Sequence, residues 1–157
     1  TEDGIEGYVA RGDSDGAYFE VVKNGQTYTE IKGSGFKTSG TNVVCEPNIT
    51  VQNIKKVVSD AVIKNSDGKE VTSGNIGTGF TIKANGMTYT VLKKGDANGD
   101  GVVNSVDALI VLKQSAGIIK QDGAYSLAMD SNKDGVVNSA DALLILKYSA
   151  DLSKITI

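Results

Sequence analysis

Aspartate and asparagine recur at every second position in two stretches of the chain's second half. One stretch begins at Asp96, and the same pattern begins again at Asp130. Carboxylate and amide oxygens are hard ligands, and Ca²⁺ binds about six to eight such oxygens at roughly 2.3–2.6 Å. The two stretches therefore predict cation sites, and their oxygen-only donors favour calcium over metals that prefer nitrogen or sulfur.

Both stretches fit the calcium-binding loop of about twelve residues, whose ligands stand at positions 1, 3, 5, 7, 9 and 12 and whose sixth residue is glycine. In the first loop, with Gly101 at the turn, the predicted ligands are Asp96, Asn98, Asp100, the Val102 carbonyl, Asn104 through water, and Asp107. In the second loop, with Gly135 at the turn, they are Asp130, Asn132, Asp134, the Val136 carbonyl, Asn138 and Asp141. One such stretch alone also fits an empty surface turn, because Asp, Asn and Gly favour turns. Two stretches that match at every ligand position predict that the chain binds two calcium ions.

Two features separate these loops from those of calcium-dependent switches. The last ligand is Asp107 or Asp141, whereas regulatory loops use the longer glutamate. The first loop also follows a predicted strand and not a helix, and Met129 is the only methionine of this half. A helix pair that opens to expose a methionine-rich groove is therefore not expected. We expect short strand pairing between Val103 and Val137, the eighth residues of the two loops.

Composition excludes several other kinds of site. The chain has no histidine, so the usual zinc ligand, the usual general base and the Ser–His or Cys–His pair are absent. Its single cysteine, Cys45, cannot form an intrachain disulfide. All acidic residues of 95–157 are aspartates and no basic patch accompanies them, so nucleic acid is not an expected partner. No run of about 18 apolar residues is present, so we expect no membrane insertion.

The elements that position the loops fall into two halves. Alternating apolar and polar residues predict strands over 5–9, 18–22, 27–31, 78–84 and 87–93. Asn24-Gly25 and Asn85-Gly86 lie between pairs of these strands, and Asn-Gly is a strong hairpin signal. Thr50 can cap a short helix over 51–58. We therefore predict an α+β chain, in which a small β-rich module over 1–94 precedes an all-α domain over 95–157 with two calcium-binding loop–helix repeats.

The repeated loop–helix pattern resembles the dockerin family over about residues 95–152. The resemblance rests on both copies of the loop, on aspartate at the last ligand position and on the absence of an entering helix. It implies calcium-dependent folding and binding to a cohesin module of a scaffold or cell-surface protein. It also implies a secreted bacterial protein that belongs to a cellulosome-like, polysaccharide-degrading complex. Such a protein is attached to the cell surface when its cohesin partner is a cell-surface protein. The β-rich half is similar to the small X-type modules that precede dockerins.

In dockerins, the cohesin contacts come from loop positions 10 and 11 and from the helix that follows. Carried over to this chain, they are Ser105, Val106, Ile110, Lys113, Gln114 and Gly117 in the first copy, and Ser139, Ala140, Leu144, Lys147, Tyr148 and Asp151 in the second. The Ser-Val and Ser-Ala pairs at positions 10 and 11 differ from the Ser-Thr pair of many enzyme-borne dockerins. The cohesin type therefore stays open.

Helical spacing supports this partner surface independently. Four of the first-copy residues, from Val106 to Gly117, step by three or four and share one helix face. A neighbouring face, made of Leu109, Leu112 and Ala116, is expected to fill the core. A helix that is apolar on two faces can also be fully buried, and the spacing leaves both arrangements open.

These features predict a non-catalytic assembly module that binds a cohesin, and no enzyme. A second hypothesis is a carbohydrate-binding module, stabilised by the calcium loops, whose sugar-stacking platform is Tyr8, Tyr18, Tyr28 and Tyr89. Tyrosines on strands are more often packing residues. A third hypothesis is an enzyme fragment, since a glycosidase needs two carboxylates about 5–9.5 Å apart, but the β-rich half is small for a catalytic cleft.

Overall fold

The computed structural model describes residues 5–11, 18–23 and 26–157, with side chains from residue 31 onwards. The strands of this part are β1 (Ile5–Arg11), β2 (Tyr18–Lys23), β3 (Gln26–Gly33), β4 (Phe36–Ser39), β5 (Asn42–Cys45), β6 (Val62–Lys64), β7 (Thr81–Ala84) and β8 (Met87–Lys93). Its helices are α1 (Val51–Val57), α2 (Ser105–Ser115), α3 (Ala124–Met129) and α4 (Ser139–Ser149). The chain is therefore mixed α+β, as the sequence predicts, with strands concentrated before residue 94 and α2 to α4 after it.

The strands form one sheet in the order β1-β2-β3-β4-β5-β8-β7-β6. Neighbours are antiparallel except β5 and β8, which run parallel. The hairpin predicted around residues 24–25 is present as the pairing of β2 with β3, although the turn itself lies outside the described residues. In the second predicted hairpin, Ala84 pairs with Met87, and Asn85 and Gly86 have φ angles of 51° and 76°. Positive φ at both turn residues is the geometry that favours Asn-Gly.

The predicted short helix is α1, which begins after Thr50. The Thr50 side chain accepts a hydrogen bond from the Asn53 N–H, and the Asn53 side chain accepts one from the Thr50 N–H. This reciprocal capping satisfies two amides that the helix itself leaves unpaired. Val51 and Ile54 are buried on the inner face of α1. They join the core of the β-rich half, which the structure describes as Ile31, Phe36, Val43, Cys45, Ile49, Val51, Ile54, Val58, Ala61, Ile63, Ile76, Ile82, Ala84, Tyr89 and Val91.

The second half has a smaller core of its own between α2 and α4. Its buried residues are Ala97, Val103, Ala108, Val111, Met129, Ala142, Ile145 and Ile155. The strand pairing expected between Val103 and Val137 is wrong, because no β-bridge joins these residues and both side chains instead contact this core. Among the described residues, no helix is long and apolar enough to cross a membrane.

Candidate metal centre and partner face

The first loop is closed by the carboxylate of Asp107, which stands at the start of α2. One oxygen of Asp107 accepts a hydrogen bond from the Ala97 N–H at 2.8 Å, and the other accepts one from the Asn104 N–H at 2.9 Å. Asn104 caps α2, because its side-chain oxygen accepts a hydrogen bond from the Val106 N–H at 2.9 Å. The end of the loop and the beginning of the helix are therefore built by the same residues.

The second loop repeats this arrangement around Asp141. The oxygens of Asp141 accept hydrogen bonds from the Asn132 N–H at 3.2 Å and the Asn138 N–H at 2.9 Å. Asn138 caps α4 by accepting a hydrogen bond from the Ala140 N–H at 2.8 Å. Each loop thus leads into an eleven-residue helix with the same capping box, and the sequence repeat is also a structural repeat.

Each loop brings its three aspartates together. Asp96, Asp100 and Asp107 offer carboxylate oxygens that all lie within 4.8 Å of one another, and the matching aspartates of the second loop, Asp130, Asp134 and Asp141, do the same. Three carboxylates at this separation repel one another unless a cation lies between them. An all-oxygen set of carboxylates and amides is the kind that calcium prefers.

The remaining predicted ligands line the same loops. Asn98 donates a hydrogen bond from its amide to Asp100 at 2.9 Å, and Asn132 does the same to Asp134 at 3.0 Å. Val102 and Val136, expected to act through their carbonyls, have exposed side chains. The oxygen donors of each loop are therefore of the chemical type that binds a calcium ion.

Burial makes two carboxylates of the first loop, Asp96 and Asp107, costly to ionise without a cation. Burial raises the pKa of Asp96 to about 6, although the hydrogen bond from the Thr78 N–H lowers it and the neighbouring Asp107 carboxylate raises it further. Burial also raises the pKa of Asp107, against the hydrogen bonds from backbone amides. A divalent cation would offset this cost, because an opposite charge favours the ionised carboxylates.

Two adjacent lysines, Lys93 and Lys94, connect the loops to the rest of the chain, and neither is among the predicted site residues. The Lys93 ammonium donates to the Ile49 carbonyl at 2.8 Å and to the Gly101 carbonyl of the first loop at 2.9 Å. The Lys94 ammonium donates to the Leu127 carbonyl at 2.8 Å and to the Asp130 carbonyl at 2.9 Å. Each lysine therefore holds one loop. Lysine is seldom fully buried, and the sequence carries no local signal that Lys93 is.

Replacing Lys93 with methionine should destabilise the calcium-loaded chain. Lys93 is 1% exposed, and its loss leaves two buried carbonyls without a partner at about 1–3 kcal/mol each. We expect the free energy of unfolding to fall by about 2 kcal/mol, which corresponds to a fall in Tm of roughly 4–8 °C for a chain of this size. The control is Lys83→Met, at an exposed position of β7, which should change stability by less than about 0.5 kcal/mol. Equal melting temperatures for the two variants would show that Lys93 does not join the halves.

Most of the predicted cohesin-contact residues lie on the surface. The exposed ones are Ser105, Val106, Lys113, Gly117, Ser139, Ala140, Lys147 and Asp151. Ile110, Leu144 and Tyr148 are only partly exposed and pack against the core of the second half. Gln114 is also partly buried, and its side chain accepts a hydrogen bond from the Gln121 N–H at 2.9 Å. These four residues therefore have structural contacts that the partner prediction did not include.

The expectation that Leu109, Leu112 and Ala116 fill the core is wrong. Leu109 is 52% exposed and Leu112 is 42% exposed, and Ala116 is exposed as well. The core-facing residues of α2 are Ala108 and Val111. Because α2 is apolar on more than one side, its spacing alone could not select the face that meets α4.

The same outward face recurs on α4. Leu143 and Leu146 are 52% and 42% exposed, and they occupy the positions that Leu109 and Leu112 occupy in the first copy. Val106 and Ala140, at the start of the two faces, are exposed too. The two helices thus present matched apolar stripes to solvent, which we call the paired stripe.

Gly117 and Asp151 mark the ends of the two helices. Gly117 has a φ of 71° and Asp151 a φ of 59°, the left-handed conformation that commonly terminates a helix. The next residue donates back in each case: the Ile118 N–H to the Lys113 carbonyl, and the Leu152 N–H to its counterpart in α4. Both residues therefore have a helix-ending role, whatever they contact outside the chain.

The sugar-stacking hypothesis gains no support from the tyrosine whose side chain is described. Tyr89 is 1% exposed and belongs to the core of the β-rich half. The side chains of Tyr8, Tyr18 and Tyr28 lie outside the described part of the chain. Tyr89 is therefore a packing residue and does not present its ring to a sugar.

Comparison with known proteins agrees with the geometry of the loops. Residues 94–148 match the family model of the dockerin type I domain. No curated protein matches the chain. The matched segment contains both aspartate loops, α2, α3 and nearly all of α4. The matched segment, residues 94–148, is therefore a dockerin type I domain.

Proposed function

We propose that the chain is a non-catalytic assembly module that binds a cohesin module through its calcium-stabilised dockerin. Dockerin domains bind calcium and cohesins and serve assembly of the cellulosome type. By this binding the chain attaches its parent protein to an extracellular polysaccharide-degrading complex or to a cell-surface scaffold. The observation that carries the proposal is the pair of loops, which repeat the same ligand spacing and the same aspartate cluster within the matched segment.

The dockerin binds two calcium ions in this proposal, one in each loop. The ligands are those predicted from the sequence, with Asp96, Asp100 and Asp107 as the carboxylates of the first ion. Their counterparts in the second loop are Asp130, Asp134 and Asp141. Calcium neutralises both clusters and holds each loop in the shape that starts the following helix.

The β-rich residues 1–94 are a structural X-type module in this proposal, and residues 95–157 are the dockerin. The separate cores of the two halves support this division. The contacts of Lys93 and Lys94 across the boundary support a fixed connection between them. The first half then orients and stabilises the dockerin.

The cohesin-binding surface consists of the exposed predicted contacts together with the paired stripe. It combines apolar side chains on α2 and α4 with Lys113 and Lys147, which are both exposed. Exposed apolar area of this kind typically marks a protein–protein interface. Because the stripe is duplicated, the proposal includes two cohesin orientations related by a half-turn.

Calcium-dependent capture by a cohesin tests the proposed function. We expect the full chain, passed over a panel of immobilised cohesin modules, to bind at least one of them in calcium and to dissociate when excess chelator is added. The matched negative control is the chain with Asp100→Ala and Asp134→Ala, which removes one exposed carboxylate from each loop. Failure to bind any cohesin in calcium, or binding that persists unchanged in chelator, would contradict the proposal.

A further inference from the structure

The two loops have nearly the same sequence but different surroundings. The first loop lies against residues 75–79 of the β-rich half, and Asp96 is fully buried. The second loop is less enclosed: Asp130 is only partly buried, although Asp141 is fully buried. Because the two loops have similar ligands, a difference in enclosure should appear as a difference in the rate at which each loop releases its calcium ion.

Residues 75–79 contact the first loop backbone to backbone. A Cβ placed on Gly77 would lie 2.2 Å from the Gly99 carbonyl oxygen, and one placed on Gly101 would lie 2.8 Å from the Cβ of Asn75. At Gly135, the counterpart of Gly101 in the second loop, an added Cβ meets nothing within 4 Å. The first loop is therefore covered where the second is exposed to solvent.

Thr78 links this cover directly to a predicted calcium ligand. Its N–H donates to Asp96 Oδ2 at 2.8 Å, and the Gly101 N–H donates to the same oxygen at 3.1 Å. The Thr78 hydroxyl fixes this segment to β8, because it accepts from the Lys93 N–H at 3.1 Å and donates to the Lys93 carbonyl at 3.2 Å. The corresponding oxygen of Asp130 accepts from the Gly135 N–H at 3.0 Å. Among the described residues, none in the β-rich half donates a hydrogen bond to the Asp130 carboxylate.

We propose that the β-rich half forms one wall of the first calcium loop and thereby makes the two ions unequal. The ion of the first loop leaves slowly, because residues 75–79 must move away before Asp96 can release it. The ion of the second loop exchanges freely. Thr78 is a positioning residue here, since it acts through Asp96. This inference rests on the proposed function, because it requires that both loops bind calcium.

The expected difference is at least about tenfold in dissociation rate. Hydrogen bonds to ligands from outside the first coordination sphere typically change metal affinity by about 10–100-fold. The covered loop also loses its ion only when packed backbone segments separate, which is rarer than fraying of an exposed loop. Both effects slow release from the first loop.

Stopped-flow mixing of the calcium-loaded full chain with a fluorescent calcium chelator measures the two rates. We expect two phases of equal amplitude. Asp100→Ala and Asp134→Ala assign them, because these exposed residues occupy the same position in the two loops. The slow phase should disappear in Asp100→Ala and the fast phase in Asp134→Ala.

Two further variants test the role of residues 75–79. Thr78→Val keeps the shape but removes the hydroxyl that holds the segment on β8, and Thr78→Ser is its matched control. Gly77→Ala forces the segment away from Gly99 by a separate route. Thr78→Val and Gly77→Ala should accelerate the slow phase by about tenfold or more, whereas Thr78→Ser should not. The unchanged fast phase in each variant verifies that the dockerin remains folded.

The failures of the two proposals are distinguishable. Absence of bound calcium overturns the proposed function. The inequality of the loops alone is overturned if the two calcium dissociation rates lie within a factor of about two of each other. It is also overturned if the slow phase disappears in Asp134→Ala. These outcomes come from the parent chain and the two aspartate variants, so the inference is decided even if Thr78→Val and Gly77→Ala do not fold.

Discussion

Removing calcium from the full chain should reduce the helical circular dichroism at 222 nm by roughly half or more, because small metal-dependent domains lose their fold with the ion. Three of the four helices in the described residues lie between residues 105 and 149. Two of them, α2 and α4, begin at the aspartate clusters. Without the cation, the buried carboxylates of Asp96 and Asp107 repel each other and have no water to compensate them.

The core of the second half is too small to resist this repulsion. It contains eight buried apolar residues, of which three are alanine and none is aromatic. The core of the β-rich half is nearly twice as large and includes Phe36 and Tyr89. We therefore expect the strand signal to survive chelation, and the helical signal to return when calcium is restored in excess. Unchanged ellipticity at 222 nm after chelation would show that the dockerin folds without calcium.

Damage to both halves of the paired stripe should abolish cohesin binding, whereas damage to either half alone should have little effect. The first-copy variant is Leu109→Asp with Lys113→Ala, and the second-copy variant is Leu143→Asp with Lys147→Ala. Losing one of two equivalent orientations costs only about RT ln 2, roughly 0.4 kcal/mol, so each double variant should bind about twofold more weakly. The four changes together should cost about 3 kcal/mol or more, over a hundredfold in affinity.

The choice of leucines matters for this experiment. Leu109 and Leu143 are both 52% exposed, whereas Ile110 and Leu144 pack on the core, and their replacement would disturb folding. The control is Leu127→Asp with Lys120→Ala, since Leu127 is 50% exposed but lies on α3. A hundredfold loss in one double variant would indicate a single orientation. Full binding by the fourfold variant would exclude the paired stripe as the cohesin surface.

The loops could be predicted from sequence because their chemistry is local. Every predicted ligand position of a loop lies within a segment of twelve residues, and the spacing is the one that coordination of a single ion requires. The same locality made the cap at Thr50 and the turn at Asn85-Gly86 predictable, since each depends on contacts between residues a few positions apart. Strands with clear alternation of apolar and polar residues, such as β8, were predictable for the same reason.

Three strands were missed because they are short. β4 and β5 have four residues each and β6 has three, which is too few for an alternating pattern to be distinctive. β5 also pairs in parallel with β8, far along the chain. Their strand conformation is fixed by the neighbours in the sheet and not by their own sequence.

The particular residues that join the halves could not be predicted, because their contacts are not local in sequence. Thr78 contacts Asp96, 18 residues away, and Gly77 packs against the Gly99 carbonyl of the first loop. Such contacts depend on how the β-rich half folds over the first loop, and they leave no spacing pattern in the sequence. The outward orientation of Leu109 was likewise decided by the packing of α2 against α4.

Native mass spectrometry of the full chain with its cohesin tests the central claim most directly. In calcium, we expect one complex that contains one chain, one cohesin and two calcium ions. After addition of excess chelator, the same sample should show only the separate proteins. A complex that carries no calcium, or one that persists unchanged after chelation, would contradict the account.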